Sequence, residues 1–264
     1  MLLGGPLMEM RGIMGGFYRI SEWIMRLAVT NILWIVCSLP FAFFVFTAFL
    51  STGLEENAMS MFYWWLVMGL AVAPFTLFPA TSAMFGVARK WVMGDLDVPL
   101  FRTYFRHYKE NYLQSMIGGI VYALVLGIMI VDFKYFQGNS SLQLVSYVFL
   151  GLILLLGISL FNFFSMVVHY HMKTFQLLKN ALLITIGRPL RSFSTAIVSG
   201  FIIYISFSTK LTWLIPFFMG SIIAYFAFWN FYLTYQKIQA QTEARNKEAE
   251  EDALEAELSE DTKK

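Results

Sequence analysis

Charge is what this sequence has least of. Asp, Glu, Lys and Arg make up 14% of its 264 residues, against about a quarter in an average soluble domain. None of them falls in the middle of a long apolar run, so the embedded carboxylates of a proton relay and the stacked arginines of a voltage sensor are both missing. There is one cysteine, Cys37, which excludes an intramolecular disulfide. Lying inside an apolar run, it reads as a small buried apolar residue. The three histidines, His107, His169 and His171, come without a cluster of Cys or carboxylates. His169 and His171 stand two apart and point to different faces of a helix, so a metal centre lacks its ligands. No GxxxxGK[ST] phosphate loop and no GxSxG elbow is present, which removes the parts of an ATPase or a serine hydrolase. No acid/base pair converges at a plausible depth either. No catalytic residue and no cofactor are therefore expected, and the chain reads as a non-enzyme.

What is present is apolar surface, at 58% hydrophobic residues and a mean hydropathy of +0.62. It is gathered into runs of about 18 residues or more, long enough to cross hydrocarbon. Six spans are expected, at 26–50, 61–87, 113–131, 144–168, 193–208 and 211–232. Backbone polar groups in lipid must be satisfied internally, so spans are helices or closed barrels. A barrel needs alternation with period two, and Phe41–Phe49 and Leu152–Leu160 are apolar on every side. The expected fold is all-α, a polytopic membrane bundle of six transmembrane helices with two cytoplasmic amphipathic helices. The fifth span is short and rich in Ser and Thr and meets the sixth through Thr209–Lys210, so a single re-entrant hairpin is the alternative there.

Orientation follows from Lys and Arg, which favour the cytoplasmic side. With six spans, 17 of them fall on one side, in the N-terminal segment, the loops after spans 2 and 4, and the C-terminal tail; only Lys134 and Lys210 fall on the other. An odd number of spans would scatter them. Both termini are therefore expected in the cytoplasm, in the cytoplasmic membrane of a bacterium. Residues 237–264 hold five Lys/Arg against nine Asp/Glu, a charge of −4, which leaves +6 for the rest. This divides the chain into a membrane domain, 1–236, and an acidic tail, 237–264, expected to be helical at its start and frayed or disordered beyond. No cleavable signal peptide is evident, and Met10 offers an alternative start. Positive charge beside membrane spans points to anionic lipid rather than nucleic acid.

Within the spans, Pro40, Pro74 and Pro79 remove backbone donors. They read either as kinks that let helices pack or as opened backbone lining a polar path, with Thr81, Ser82 and Asn162 beside it. Asn31, Asn162 and Asn230 are the deepest polar side chains and suit hydrogen bonds between helices. Between spans 2 and 3, Gly94-Asp95-Leu96-Asp97 reads as a turn. Asp97 is placed to cap a helix with Pro99 near its first turn. Leu100, Tyr104, Tyr108 and Tyr112, broadened by Phe101 and Phe105, form an apolar stripe, and Arg102, Arg106 and Lys109 lie on another face. Between spans 4 and 5, Phe175, Leu178, Leu182 and Ile186 form a second stripe, flanked by Lys173 and Lys179 and ended by Gly187-Arg188-Pro189. These helices either anchor the chain in the bilayer or dock a partner. The docking reading selects Arg89, Lys90, Trp91, Arg102, Arg106 and Lys109, with Lys179 and Arg188 second.

Several segments resemble the bacterial YesL family. They are Gly16-Phe17-Tyr18, Asn31-Ile32-Leu33-Trp34 and Leu39-Pro40, then Phe78-Pro79-Ala80-Thr81-Ser82-Ala83-Met84-Phe85 with Arg89-Lys90-Trp91. Phe101, Tyr104-Phe105, Lys109–Ser115, Lys179-Asn180-Ala181 and Arg188-Pro189 continue the likeness, which runs from about Met10 to Tyr235. The resemblance implies a small integral membrane protein placed, by genomic association, near carbohydrate ABC importers; it carries over no catalytic residues. The expected function is an accessory or assembly component of such an importer, in contact with its membrane subunits. The alternative is a permease component that itself moves a small solute. Neither oligomeric state nor substrate follows from these residues.

Overall fold

The computed structural model describes residues 13–51, 58–138, 142–208 and 211–261, with side chains described from 16 to 252. Met10 and the Thr209–Lys210 connection lie outside these residues. Nine α-helices make up the described chain: α1 Ile13–Cys37, α2 Leu39–Ser51, α3 Ala58–Val72, α4 Leu77–Val92, α5 Leu100–Gln137, α6 Gln143–His169, α7 Thr174–Gly187, α8 Pro189–Ser208 and α9 Gly220–Asp261. A 3-10 turn, Ala73–Phe75, separates α3 from α4, and a π turn, Ile215–Met219, leads into α9. Six helical segments are long and apolar enough to cross a membrane. The protein is an all-α, multi-pass membrane protein.

Two expected spans are not single helices. The first begins 13 residues earlier than 26–50 implies, with α1, and is interrupted at Ser38. Pro40 has no N–H for the Val36 carbonyl; the Ser38 amide still reaches Trp34 O and the Ala42 amide reaches Ser38 O, so the break is one residue wide. The second, expected over 61–87 with Pro74 and Pro79 inside it, splits at Ala73–Thr76 around Pro74. Its second half is α4, the most enclosed helix, with eleven of sixteen residues buried. α4 packs against α5, α6, α9 and α1. Its partners approach closely because small residues face them: Ala80, Ala83, Gly86 and Ala88 are all buried. By contrast α2 and α3 pack mainly on one another and meet the body chiefly where the chain continues into it.

The helix expected over Leu100–Tyr112 is present, but it runs without a break into the third span. α5 is 38 residues, about 57 Å at 1.5 Å per residue. Asp97 does not cap it. Pro99 holds the N-cap position, and the Asp97 carboxylate is taken by Arg26, 3.2 Å away. The turn at 94–97 is as expected: Gly94 has φ +92°, and the amides of Gly94 and Asp95 close back on Trp91 O and Lys90 O.

α7 occupies its expected place, but its buried face overlaps the expected stripe only in part. Leu177, Leu178, Ala181 and Thr185 point into the body, whereas Phe175 and Ile186 are exposed. Of the expected Phe175/Leu178/Leu182/Ile186 stripe, Leu178 is buried and Leu182 is half-buried against the core, while the two ends look outward. The last helix carries on past Tyr235 into the tail, whose start is expected to be helical. α9 continues to Asp261 as a 42-residue rod, in keeping with the high helix propensity of its Ala, Glu, Lys and Gln.

Candidate functional site at the basic end

Contacts between distant parts of the chain gather the Lys- and Arg-rich segments at one end of the bundle. Arg26, buried on α1, is bonded to Glu22 one turn away and to Asp97 of the α4–α5 loop. Trp23 stands edge-on to Trp91 at 5.7 Å and to Tyr225 at 5.4 Å, tying α1, α4 and α9 together. Arg89 Nε donates to His169 Nδ1 over 3.4 Å, joining α4 to the end of α6. A second arginine acts in the same way at the α7–α8 junction, where Arg188 donates to Gln241 Oε1 of α9. Lys134 lies at the opposite end, its ammonium 3.6 Å from the centre of the Tyr63 ring at the start of α3.

The sequence-selected contact residues divide into three groups. Lys90, Arg102 and Arg106 surround one concavity of about 410 Å3, together with Asp95 and Asp97. Both of its carboxylates are already engaged, Asp95 by Lys90 at 3.1 Å and Asp97 by Arg26. Arg102 has no carboxylate partner among the described residues, so the hollow keeps a net positive rim. Lys109 is exposed further along α5, beside a second concavity lined by Tyr108, Tyr112 and Leu113. Lys179 is exposed on α7 and Arg188 is held by α9, so neither joins the hollow. Arg89 is half-buried against His169. Trp91 departs most from a surface role: it is buried against Trp23.

The intramembrane polar residues hold helices together. Asn31 is fully buried. Its amide donates to Ile215 O and Pro216 O, each at 2.8 Å, and its carbonyl accepts the Ser221 amide at 3.0 Å. Three backbone groups around the π turn are thus satisfied by one side chain from α1. Gly220 permits this approach, since a Cβ there would come within 2.9 Å of Asn31 Oδ1. Asn162 donates to Thr185 Oγ1 of α7 and, more weakly, to Ser192 Oγ of α8. Asn230 donates to Ser194 and Thr195 on α8, each at 3.0 Å.

The prolines sit in two different settings. Pro74 and Pro79 are both buried in contact with other helices, while Pro40 is exposed. The Phe75 carbonyl, which Pro79 leaves without its usual donor, accepts Tyr112 OH at 3.2 Å. The Thr81 hydroxyl donates to Leu77 O and accepts the Trp34 indole N–H. Ser82 Oγ is buried with no hydrogen-bond partner among the described residues.

Sequence reasoning missed the surroundings of His169. Its ring meets Tyr235 at 4.4 Å, with Tyr170 and Phe231 also in edge contact. Phe228, Phe231, Tyr232 and Tyr235 lie at i, i+3, i+4 and i+7 on α9, a stripe that marked this face in advance. His107 lies over Gly86, where a Cβ would run into the imidazole. His171 is exposed.

The family model described as "Protein of unknown function, DUF624" matches residues 27–133, which include Asn31, α4 and the whole hollow. The uncharacterized protein YesV of Bacillus subtilis (strain 168) is 32% identical over 186 residues, covering 67% of this chain and 86% of YesV. The uncharacterized protein YteU of the same organism is 27% identical over 219 residues, covering 83% of this chain and 84% of YteU. Its uncharacterized protein YesL is 27% identical over 183 residues, covering 69% and 73%. No solved structure matches the chain. With YesV matched over most of its length and YesL beside it, the chain belongs to the YesL-like family of membrane proteins.

Proposed function

We propose that the chain is a non-enzymatic accessory or assembly component of a carbohydrate ABC-type importer, in the bacterial cytoplasmic membrane with both ends in the cytoplasm. The observation that carries this reading is the hollow bounded by Lys90, Arg102 and Arg106. Its shape is fixed by the Arg26–Asp97 and Lys90–Asp95 pairs, and Arg102 is left available. A rigid, positively rimmed surface at a membrane boundary suits acidic loops of an integral membrane partner, because complementary charge sets register and speeds encounter. The three membrane asparagines support the same reading from the other side, since each is occupied in joining helices. The link to sugar import rests on the family resemblance, and the lean of Lys and Arg to one end supports the orientation.

Affinity purification of the full chain from native membranes tests this reading. It should recover membrane subunits of a sugar importer, and Arg102→Glu should reduce that recovery about tenfold without loss of the protein itself. Recovery of the chain without any importer subunit contradicts the proposal.

A further inference from the structure

Because α5 runs unbroken from the basic end into the bilayer, the faces of its two parts are in register. Arg102, Arg106, Lys109 and Leu113 stand at i, i+4, i+7 and i+11, one stripe of the helix. The stripe continues through Leu124, Ile128 and Val131, which are exposed like Leu113 and face lipid. Tyr104, His107, Ser115, Gly118 and Tyr122 are buried on the other side. The cations therefore stand directly above the lipid-facing surface.

Depth separates the three. With the span beginning at Leu113, Lys109 lies about 6 Å outside the hydrocarbon and Arg106 about 10 Å, at 1.5 Å per residue. The headgroup layer is about 5 to 7 Å thick on each side. Lys109 therefore lies at phosphate depth with Arg106 just above it and Arg102 further out, at about 16 Å; Arg102 and Arg106 both border the hollow. Lys109 has no carboxylate partner among the described residues. Arg106 has only Glu110, 3.9 Å away and exposed, a pairing worth little. Beneath Lys109 lies a shallow concavity of about 420 Å3, formed by Tyr108, Tyr112 and Leu113. Two tyrosines, a leucine and a lysine in one lining match a phosphate with an acyl chain attached better than a free anion.

We infer that this concavity is a binding site for one anionic glycerophospholipid, with its phosphate at Lys109 and Arg106 and an acyl chain along Tyr112 and Leu113. Arg106 also borders the hollow, so Lys109 is the cation that belongs to this site alone. Charge complementarity supplies the headgroup preference, and the exposed stripe of α5 supplies the surface for the chain.

The test uses the full chain purified in neutral detergent and supplemented with phosphatidylglycerol, phosphatidylcholine or glycerol 3-phosphate. Lipid adducts are read by native mass spectrometry and the melting midpoint by thermal shift. Phosphatidylglycerol should be retained and raise the midpoint, and the other two should do neither. The double variant Lys109→Gln/Arg106→Gln should weaken phosphatidylglycerol retention at least tenfold, while Arg102→Gln and Lys134→Gln stay within twofold of the parent. If the double variant does not purify, Lys109→Gln alone should give at least a threefold loss. Equal retention of phosphatidylcholine, an equal shift with glycerol 3-phosphate, or undiminished retention in the Lys109 variants overturns the inference.

Discussion

The α2–α3 hairpin is more apolar than α4 at the centre of the body, yet it is far less enclosed. α4 has eleven buried residues, whereas only Ala48 and Ser51 are buried on α2 and only Gly69 on α3. In lipid, apolar area alone does not drive helices together; close packing and hydrogen bonds do. The body has both. Gly118 receives the Phe163 ring, Gly119 lies against Phe78 and Pro74, and Gly86 receives His107. Asn31, Asn162 and Asn230 add polar joints between helices. The hairpin has one close approach, Gly69 on Phe44, and presents Phe43, Phe46, Trp64 and Val67 outward. The comparison separates a unit fixed by shape from an arm fixed to its neighbours chiefly through the turns at Ser38 and Ala73–Phe75.

Substitutions that differ only in which region they touch sharpen this contrast. The largest effect is expected on α5 itself. At Gly118 a Cβ would drive into the Phe163 ring, while at Gly127 nothing lies within 4 Å. Gly118→Leu should destabilise by about 3 kcal/mol or more through overpacking, and Gly127→Leu by no more than about 0.5 kcal/mol. Melting in detergent measures both, and equal losses would erase the distinction between packed and open faces. Next comes Asn31→Leu, which strips three backbone groups of their partner and should cost about 2 to 3 kcal/mol. Its effect should fall on protection of the 215–221 amides in hydrogen exchange. Tyr112→Phe, which removes the donor to Phe75 O, should cost about 1 kcal/mol on the same melting scale. The smallest effect is expected in the arm: Phe46→Ala should change the midpoint by less than the equivalent of about 0.5 kcal/mol. A loss as large as that of Gly118→Leu would show the hairpin to be part of the packed body.

Much of this architecture is legible in the sequence because lipid imposes it. Span length, the all-helical class and the segregation of Lys and Arg all follow from the solvent, and Pro74 marks the place where the second span divides. What hydropathy does not carry is direction. Leu177 and Phe175 are equally apolar, yet one faces α6 and the other faces out. Trp91 reads as part of a basic surface because Arg89 and Lys90 precede it, but the helix turns it inward onto Trp23. Asp97 has the spacing of a cap, and a buried arginine 71 residues away claims it instead. The π turn at Ile215–Met219 follows from no local signal beyond Pro216, and its stabilising partner, Asn31, stands 184 residues earlier. The hollow itself is half legible: its cations cluster in sequence, but the engagement of Asp95 and Asp97 that leaves Arg102 available belongs to the fold.

The claim that matters most is that the basic end is the working face, and site-specific photo-crosslinking in native membranes addresses it directly. A benzophenone amino acid placed at Arg102 should capture a membrane subunit of a sugar importer, and the same group at Lys134 should capture none. Capture from Lys134 with none from Arg102 would contradict the account.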